Sequence, residues 1–301
     1  MAVKYKSIAI IGRQNTAGAA KTLAALIKHL QAKKINVALE HDTATILPNC
    51  KIPTIPREKL KDNCDLIVVV GGDGSLLSAA RIAALQNLPV VGVNRGNLGF
   101  LTDITPNNLA KIDEILAGKY LEEYRFLLTV KTKNQKKSTT QSLALNDITF
   151  FSYVTGRMIE FAVYVDQQFL CNYRADGLII ATPTGSTAHA LSCGGPILHP
   201  ALENIVLVPV LSHNLSSRPI VISAESQIEI VFDESNLSNL LILCDGQTQT
   251  NIHSGPIKIS KAKERLRLLH PTNYNYFETL RTKLNWEKKH RCQVPTIDND
   301  C

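Results

Sequence analysis

The sequence predicts an α/β N-terminal domain with a parallel, Rossmann-like sheet, followed by a β-rich C-terminal domain of antiparallel, sandwich-like strands. The chain has 301 residues, enough for two domains of about 100–200 residues each. Before about residue 125, short apolar runs alternate with helical patterns, which is typical of a parallel sheet with crossover helices. After it, period-2 alternation replaces the helical spacing. We therefore expect an α/β domain at 1–125, an all-β domain at 126–270 and a helical tail at 271–301.

The first domain is predicted to contain four strands and three helices in alternation. The strands cover 7–12, 35–40, 64–72 and 88–94, and the helices cover 19–34, 75–86 and 107–120. Leu23, Ile27 and Leu30 recur at helical spacing in the first helix. The strands are nearly continuous runs of Val and Ile, as expected of strands that are buried on both faces of a parallel sheet.

The second domain is predicted from alternation and turn residues. Ile159, Phe161 and Val163 fall on one face of a strand, and further strand candidates lie at 226–232, 240–252 and 256–270. Asp245-Gly246 is a strong signal for a type I′ hairpin turn. Residues 274–286 regain a helical pattern, and the end of the chain is expected to be disordered.

Composition favours a globular protein without a membrane span. Hydrophobic residues make up 45% and charged residues 20%, and no apolar run approaches the ~18 residues that a span needs. No signal peptide is recognised, so we expect a cytoplasmic location. The net charge of +7 suits a nucleic acid or a small polyanion such as a nucleotide. The dispersed basic residues and few aromatics favour the nucleotide and no nucleic acid.

The cysteines and histidines give no sign of a disulfide framework or a dedicated metal site. Seven cysteines are widely spaced without a C-x-x-C pair, so we expect buried, reduced thiols. The eight histidines show no H-E-x-x-H spacing. No metal ligands are assigned from the sequence.

The segment GGDGS at 71–75 lies between a predicted strand and a predicted helix. It is not a dinucleotide fingerprint, because Leu77 stands where the third glycine is needed, and the chain has no Gly-Lys-Ser/Thr of a Walker A loop. Glycine backbone and a helix N-terminus still favour an anion site without lysine. Asp73 beside such a site would hold a cation or accept a proton from an attacking hydroxyl; alternatively it caps the helix.

Four segments, taken together and in order, resemble bacterial NAD kinase. They are GGDGS, NRGNLGFLTD (94–103), LND (145–147) and DGLIIATPTGSTAHALSCGGPILHP (176–200). The resemblance implies transfer of a phosphate from ATP to the 2′-hydroxyl of the adenosine ribose of NAD, with a divalent cation such as Mg²⁺. It also implies a site between the two domains and a homo-oligomer, either a dimer or a tetramer.

The resemblance further implies that Asp73 is the catalytic base and that Gly74 contacts NAD. Other NAD contacts are implied at Asn146, Asp147, Arg157, Arg174, Asp176, Thr187, Ala188, His189, Ala190, Leu191, Ser192 and Gln247. The chain departs from the family pattern in having Asp147 where Glu is usual and His189 where Tyr is common.

The same positions allow structural roles. These are turns at 146–147 and 176–177, exposed ion pairs at Arg157 and Arg174, and a polar loop at 182–188. Two functional alternatives also stand beside NAD kinase. One is another G-G-D-G kinase that acts on a lipid or a sugar phosphate, and the other is a non-catalytic dinucleotide-binding sensor.

Overall fold

The protein is described here from a computed structural model that covers residues 4–13, 18–95, 99–133, 138–154, 157–233, 240–250 and 254–286. The first half contains β1 (Ser7–Gly12), α1 (Ala19–Ala32), β2 (Asn36–Glu40), α2 (His41–Ala44), β3 (Thr54–Ile55), α3 (Leu60–Asn63), β4 (Leu66–Gly71), α4 (Asp73–Gln86), β5 (Pro89–Asn94) and α5 (Ala110–Leu116).

The second half is mostly strand. It contains β6 (Leu121–Lys133), β7 (Thr139–Ala144), β8 (Asp147–Ser152), β9 (Ile159–Val165), β10 (Gln168–Ala175), β11 (Gly177–Ala181), α6 (His189–Ser192), β12 (Asn204–Val210), β13 (Ile220–Ser223), β14 (Ile228–Phe232), β15 (Leu240–Cys244), β16 (Thr248–Thr250), β17 (Ser254–His270) and α7 (Tyr276–Leu284). Short 3-10 helices occupy Arg57–Lys59 and Gly185–Thr187.

The predicted parallel sheet is confirmed, with strand order β5-β4-β1-β2-β3. Every residue of β4 and β5 is buried, because helices cover both faces. Leu23 and Leu26 of α1 pack on one face, whereas Leu76 and Ala80 of α4 pack on the other. The short β3, α2 and α3 were not predicted, since two to four residues are too few to show a period.

Strand β17 joins the two halves of the chain in one sheet. Near its end, Arg267 and Leu268 pair in parallel with β5, while most of its length pairs antiparallel with β6. It also pairs antiparallel with β14, so the sheet has eleven strands among the described residues. The parallel sheet is therefore joined to the β-rich half at the start of β5, and the domain limits at 125 and 270 stay predictions.

The β-rich half is a sandwich, as predicted. A second, antiparallel sheet has the strand order β13-β12-β11-β8-β15-β16 within the described residues. Phe150 from this sheet packs on Phe232 of the first sheet with a ring-centroid distance of 5.9 Å, and Phe232 lies 5.3 Å from Phe161. These rings belong to one apolar core between the sheets.

The predicted hairpin turn and the predicted helix of the tail are both present in the structure. Asp245 and Gly246 have φ values of 54° and 62°, as the type I′ turn between β15 and β16 requires. The helical pattern of the tail corresponds to α7, which Asn275 caps by accepting a hydrogen bond from the Glu278 N–H at 3.0 Å. The expected disorder at the chain end concerns residues 293–301, which lie outside the described residues.

The cysteine prediction holds in part. Cys64 and Cys244 are buried, but Cys50, Cys171 and Cys193 are only half-buried, and all five are free thiols. Cys292 and Cys301 lie outside the described residues. None of the helices in the described ranges is long and apolar enough to cross a membrane.

Candidate active site

The G-G-D-G segment connects β4 to α4 at the carboxyl edge of the parallel sheet. Gly71 ends the strand, Gly72 is the residue before the helix, and Asp73 is the first helical residue. A Cβ atom at Gly71 would lie 2.3 Å from the Ser75 hydroxyl oxygen, so only glycine fits there. The fourteen-residue helix begins at this turn, and its Ser75 N–H already donates to the Gly72 carbonyl at 2.9 Å.

The Asp73 carboxylate does not cap its own helix, so the capping alternative is wrong. It instead accepts hydrogen bonds from the Phe100 N–H at 2.8 Å and the Leu101 N–H at 3.1 Å, and the Thr102 hydroxyl lies 3.3 Å away. A Cβ at Gly99 would lie 2.0 Å from an Asp73 oxygen. The loop after β5 therefore wraps closely around the half-buried carboxylate and fixes its orientation.

Helix α4 is tied to the β15–β16 hairpin by Arg81. Its Nη1 donates to Asp245 Oδ2 at 2.6 Å, and its Nη2 donates to Gln247 Oε1 at 3.1 Å. The Gln247 amide in turn donates to the carbonyl of Gly74 at 2.7 Å. Gly74 and Gln247, two predicted site residues that are 173 positions apart in the sequence, are thus in direct contact.

Asp245 also organises the predicted Asn-Asp pair. Its buried carboxylate accepts from the N–H groups of Leu145 at 3.2 Å and Asn146 at 2.7 Å. Asn146 lies in the bend before β8 and Asp147 is the first residue of β8, so the turn of the structural alternative holds for Asn146 only. Within the described residues the buried Asn146 Oδ1 has no hydrogen-bond partner. An unpaired buried acceptor of this kind fits a ligand that supplies a donor.

Asp147 is the most perturbed carboxylate near the site. It is 4% exposed, and burial first and the charge of Asp245 second raise its pKa from 3.8 to about 7. The shorter Asp in place of Glu is therefore buried at the edge of the site rather than extended from it. Its negative charge also contributes, after burial, to a raised pKa of the Cys193 thiol.

The segment 182–188 is not a polar surface loop, so that alternative is wrong. Ser186 is 0% exposed, donates to the Pro183 carbonyl at 2.6 Å, and accepts from the Leu198 N–H at 2.9 Å. A Cβ at Gly185 would lie 2.1 Å from the Asn146 carbonyl oxygen, so this glycine lets two predicted site segments touch. The hydroxyls fold the segment against β8, because they satisfy its buried backbone.

The remaining residues of this region form the 3-10 helix and α6. The His189 ring is exposed and stacks on Phe151 of β8, with ring centroids 5.6 Å apart and planes 25° apart. Ala190 is buried against the sheet. The other members are half-buried or exposed at one surface: Thr187, Ala188, Leu191 and Ser192.

Three predicted residues are not brought into contact with this group among the described residues. Arg157 is exposed before β9, and Asp176 lies in the turn between β10 and β11. Arg174 makes the exposed ion pair of the structural alternative, with Glu160 at 3.3 Å. It lines a shallow cavity of about 470 Å³ over β9, β10 and β14.

A cavity of about 380 Å³ opens beside the first turn of α4. Its polar lining comes from Arg13, Arg57, Gly74, Ser75, Ser78 and Gln247. Arg57 is held by the buried Glu40 at 2.7 Å and donates to the Ser78 hydroxyl at 2.9 Å. Two guanidinium groups and a helix N-terminus give this cavity the chemistry of an anion site.

Sequence reasoning missed Arg13, Arg57 and Arg81. Arg81 lies two helical turns after Gly74, and a cation on an otherwise alanine-rich and leucine-rich helix was the available signal. Arg13 directly follows the first parallel strand, at the edge where ligands bind in α/β sheets. Arg57 carried no local signal, because it lies in a connection whose path depends on the fold.

Two family models match this chain. The ATP-NAD kinase N-terminal domain matches residues 8–120, and the ATP-NAD kinase C-terminal domain matches residues 145–270. A curated relative named NAD kinase from Coxiella burnetii is 49% identical over 286 residues, which is 95% of this chain and 96% of the relative. Another of that name from Teredinibacter turnerae is 48% identical over 284 residues, 94% of this chain and 97% of the relative.

Solved structures agree with the fold. A yeast NADH kinase complexed with NADH has a TM-score of 0.85 at 24% identity, with 96% of this chain and 90% of that chain covered. An NAD kinase from Archaeoglobus fulgidus in complex with ATP has a TM-score of 0.69 at 26% identity, with coverages of 92% and 99%. Because both family models and relatives of nearly full length agree, this chain belongs to the ATP-NAD kinase family.

Proposed function

We propose that the chain phosphorylates NAD with ATP by using Asp73 to orient and deprotonate the 2′-hydroxyl of the adenosine ribose. The observation that carries this mechanism is the fixed Asp73 carboxylate, which two backbone N–H groups hold at 2.8 and 3.1 Å. Phosphoryl transfer depends mainly on positioning and charge stabilisation, and an Asp that accepts a hydroxyl proton is a recurring part of it. The proton moves from the ribose hydroxyl to Asp73 as the hydroxyl oxygen attacks the γ-phosphorus and ADP leaves.

The acceptor dinucleotide is proposed to lie along the surface formed by Asn146, Asp147 and 187–192. The unpaired Asn146 Oδ1 offers an acceptor to a ribose or adenine donor. His189, already stacked on Phe151, offers a second ring face for a base. Gln247 closes this surface against Gly74 and brings it next to Asp73. These contacts support an acceptor site at the junction of the α/β and β-rich halves.

The triphosphate of ATP is proposed to occupy the cavity beside α4. Arg13 and Arg57 would neutralise phosphate charge, and the N–H group of Gly74 would contact a phosphate oxygen. Because Asp73 immediately precedes Gly74, the γ-phosphate there lies next to the proposed base. The proposed phosphate site therefore resembles a P-loop in its chemistry, but arginine side chains take the place of the P-loop lysine.

A divalent cation such as Mg²⁺ fits this site as a companion of ATP. The described residues contain no group of three or more His, Cys, Asp or Glu that would hold a metal alone. Mg²⁺ commonly binds through one or two carboxylates, phosphate oxygens and water, and Asp73 is the carboxylate at hand. When bound, the cation supplies neutralisation of phosphate charge.

We also propose that the chain is a cytoplasmic homo-oligomer, either a dimer or a tetramer. We propose that NAD also contacts Arg157, Arg174 and Asp176. The described residues of one chain do not bring these three into contact with the rest of the site. Apolar side chains that are open to solvent support self-association, with Leu215 91% and Leu211 73% exposed. Light scattering of the purified protein tests this proposal, and a monomeric mass at micromolar concentration would contradict it.

The decisive experiment measures NADP formation from NAD, ATP and Mg²⁺ by the wild-type chain and by Asp73→Asn. We expect the variant to lose about 10²–10⁴-fold in kcat while it binds NAD with similar affinity, because only the proton acceptor is removed. A folded variant with near-normal kcat would remove Asp73 from this role. Tight NAD binding by a wild type that makes no NADP would favour the sensor, and turnover of diacylglycerol or a sugar phosphate instead would favour the other kinase class.

The donor site is tested with Arg13→Gln. A lost hydrogen bond to a charged group costs roughly 1.5–3 kcal/mol, so the Kd for ATP should rise about 10-fold to 100-fold while the Kd for NAD stays the same. Lys28→Gln, an equal change in net charge on the exposed side of α1, serves as the control. Equal ATP affinities in the two variants would place the triphosphate elsewhere.

A further inference from the structure

A chain of polar residues lies behind the active site and centres on the buried His270, the last residue of β17. Its side chain is 1% exposed and stacks on Tyr274, with ring centroids 3.8 Å apart and planes 12° apart. Nδ1 lies 2.7 Å from an Asp103 oxygen at hydrogen-bond distance, and Nε2 lies 3.4 Å from a Glu123 oxygen at ion-pair distance without hydrogen-bond geometry. A ring that faces two carboxylates can satisfy both only as the doubly protonated cation.

The charges around the ring favour that cation. Burial alone lowers the pKa of His270, but the hydrogen bond to Asp103 and the negative charges of Asp103 and Glu123 outweigh burial and raise it above its usual range. Glu123 shows the reciprocal effect. Burial raises the pKa of its carboxyl group, but His270 and then Arg125 outweigh it and hold that pKa at about 2. His270 is therefore held as a cation between two anions in a buried place.

One arm of this network reaches the proposed base. Asp103 directly follows Thr102, whose hydroxyl lies 3.3 Å from Asp73, and Leu101 donates its N–H to the same carboxylate. Asn94 secures the loop from the other side by donating to the Thr102 carbonyl at 3.1 Å. The His270–Asp103 contact thus fixes the end of the loop that orients Asp73.

The other arm reaches the proposed dinucleotide segment. Arg125 is 4% exposed and donates its Nε to Glu123 at 3.0 Å. Its Nη1 lies 3.4 Å from the hydroxyl of Thr184, at the long limit of a hydrogen bond. Thr184 immediately precedes Gly185, which packs on the Asn146 carbonyl. Arg125 therefore links Glu123 to the backbone that places the acceptor site.

We propose that His270 is a positioning residue for phosphoryl transfer, which ties the loop around Asp73 to the segment around Thr184. This inference rests on the proposed function. Without the cation, the half-buried carboxylates of Asp103 and Glu123 would face each other and repel, so that the base and the acceptor would move apart. Displacements near 1 Å are sufficient to slow an oriented reaction by about 10²-fold.

A double-mutant cycle separates positioning from general stability. The kcat of NADP formation is measured for the wild type, His270→Asn, Asp73→Asn and the double variant, with each value divided by the folded fraction from circular dichroism. We expect His270→Asn to lower kcat about 10-fold to 100-fold, as is common when a residue that orients a reacting group is lost. In the Asp73→Asn background the same change should cost less than about 3-fold, because the group that it positions is gone.

The control is His29→Asn, which removes a histidine that lies 2.8 Å from Asp113, far along the chain and on other elements. It should leave kcat unchanged. If His270→Asn does not fold, Asp103→Asn replaces it in the double-mutant cycle, because Asn has nearly the same shape as Asp.

If the fold-losses in kcat of the two single variants multiply in the double variant, the inference about His270 is wrong. A kcat of His270→Asn within twofold of wild type would also overturn it. Either result leaves the proposed function intact. A wild type that makes no NADP would refute the proposed function and the inference with it.

Discussion

Asp147 allows the burial of a charge to be tested by measuring stability against pH. Its side chain is 4% exposed, and burial together with the nearby Asp245 charge raises its pKa to about 7. Asn has nearly the same shape and carries no charge. The substitution Asp147→Asn therefore removes the titration while it leaves the packing of β8 close to unchanged.

The sign follows from proton linkage. Between the ordinary pKa of 3.8 and about 7, the unfolded chain releases the Asp147 proton while the folded chain keeps it. The contribution of Asp147 to the stability of the wild type toward unfolding is therefore highest below about pH 4. It declines as the pH rises from about 4 through 7, and the loss is complete above that. A shift of about three pKa units corresponds to about 1.36 kcal/mol per unit. The free energy of unfolding of the variant should therefore exceed that of the wild type by about 4 kcal/mol at pH 8.

Thermal unfolding without ligand measures this effect at pH 5, 6, 7 and 8. At about 2 °C per kcal/mol for a chain of this length, the Tm of Asp147→Asn should exceed that of the wild type by about 3 °C at pH 5 and about 8 °C at pH 8. The matched control is Asp62→Asn at an exposed position of α3, which should show no such trend. A Tm difference that does not change between pH 5 and pH 8 would refute the reasoning from burial.

Three other substitutions test the construction of the site. Arg81→Met removes the cation from the buried Asp245, so urea unfolding should show a loss of about 3–5 kcal/mol, and an unchanged midpoint would contradict the tie between α4 and the hairpin. Gly185→Ala places a Cβ 2.1 Å from the Asn146 carbonyl oxygen, so calorimetry should show at least a tenfold rise in the Kd for NAD; an unchanged Kd would show that the segment can yield. Arg174→Gln breaks an exposed ion pair, so Tm should stay within about 2 °C while NAD affinity falls, and an unaltered affinity would remove Arg174 from the site.

Local patterns were sufficient for much of the fold. The strand predicted at 7–12 coincides with β1, and the predicted helix at 75–86 differs from α4 only at its first turn. Long apolar runs and helical spacing are properties of neighbouring residues, so they survive into the folded state. The Asp245-Gly246 turn is of the same kind, because its positive φ values are a preference of those two residues.

Site residues were predictable where they lay in recognisable segments, but their contacts were not. The role of Asp73 follows from the G-G-D-G segment and the resemblance, and it stays a prediction of chemistry. That its carboxylate turns away from its helix toward Phe100 and Leu101 required the path of the loop after β5. The burial of 182–186 could not be predicted, because the hydroxyl groups of this segment bond to its own backbone rather than to water.

By itself, the sequence determined the type of the long parallel strands and of α1 and α4, the order of the two halves, and the segments that resemble the family. Only the tertiary structure decided that Arg81 pairs with Asp245, 164 residues away, and that His270 meets Asp103 across 167 residues. Both pairs depend on β17, which joins the parallel strands to the sandwich in one sheet. Such contacts arise from the packing of whole elements, and no local preference of an arginine or a histidine indicates which distant carboxylate it will meet.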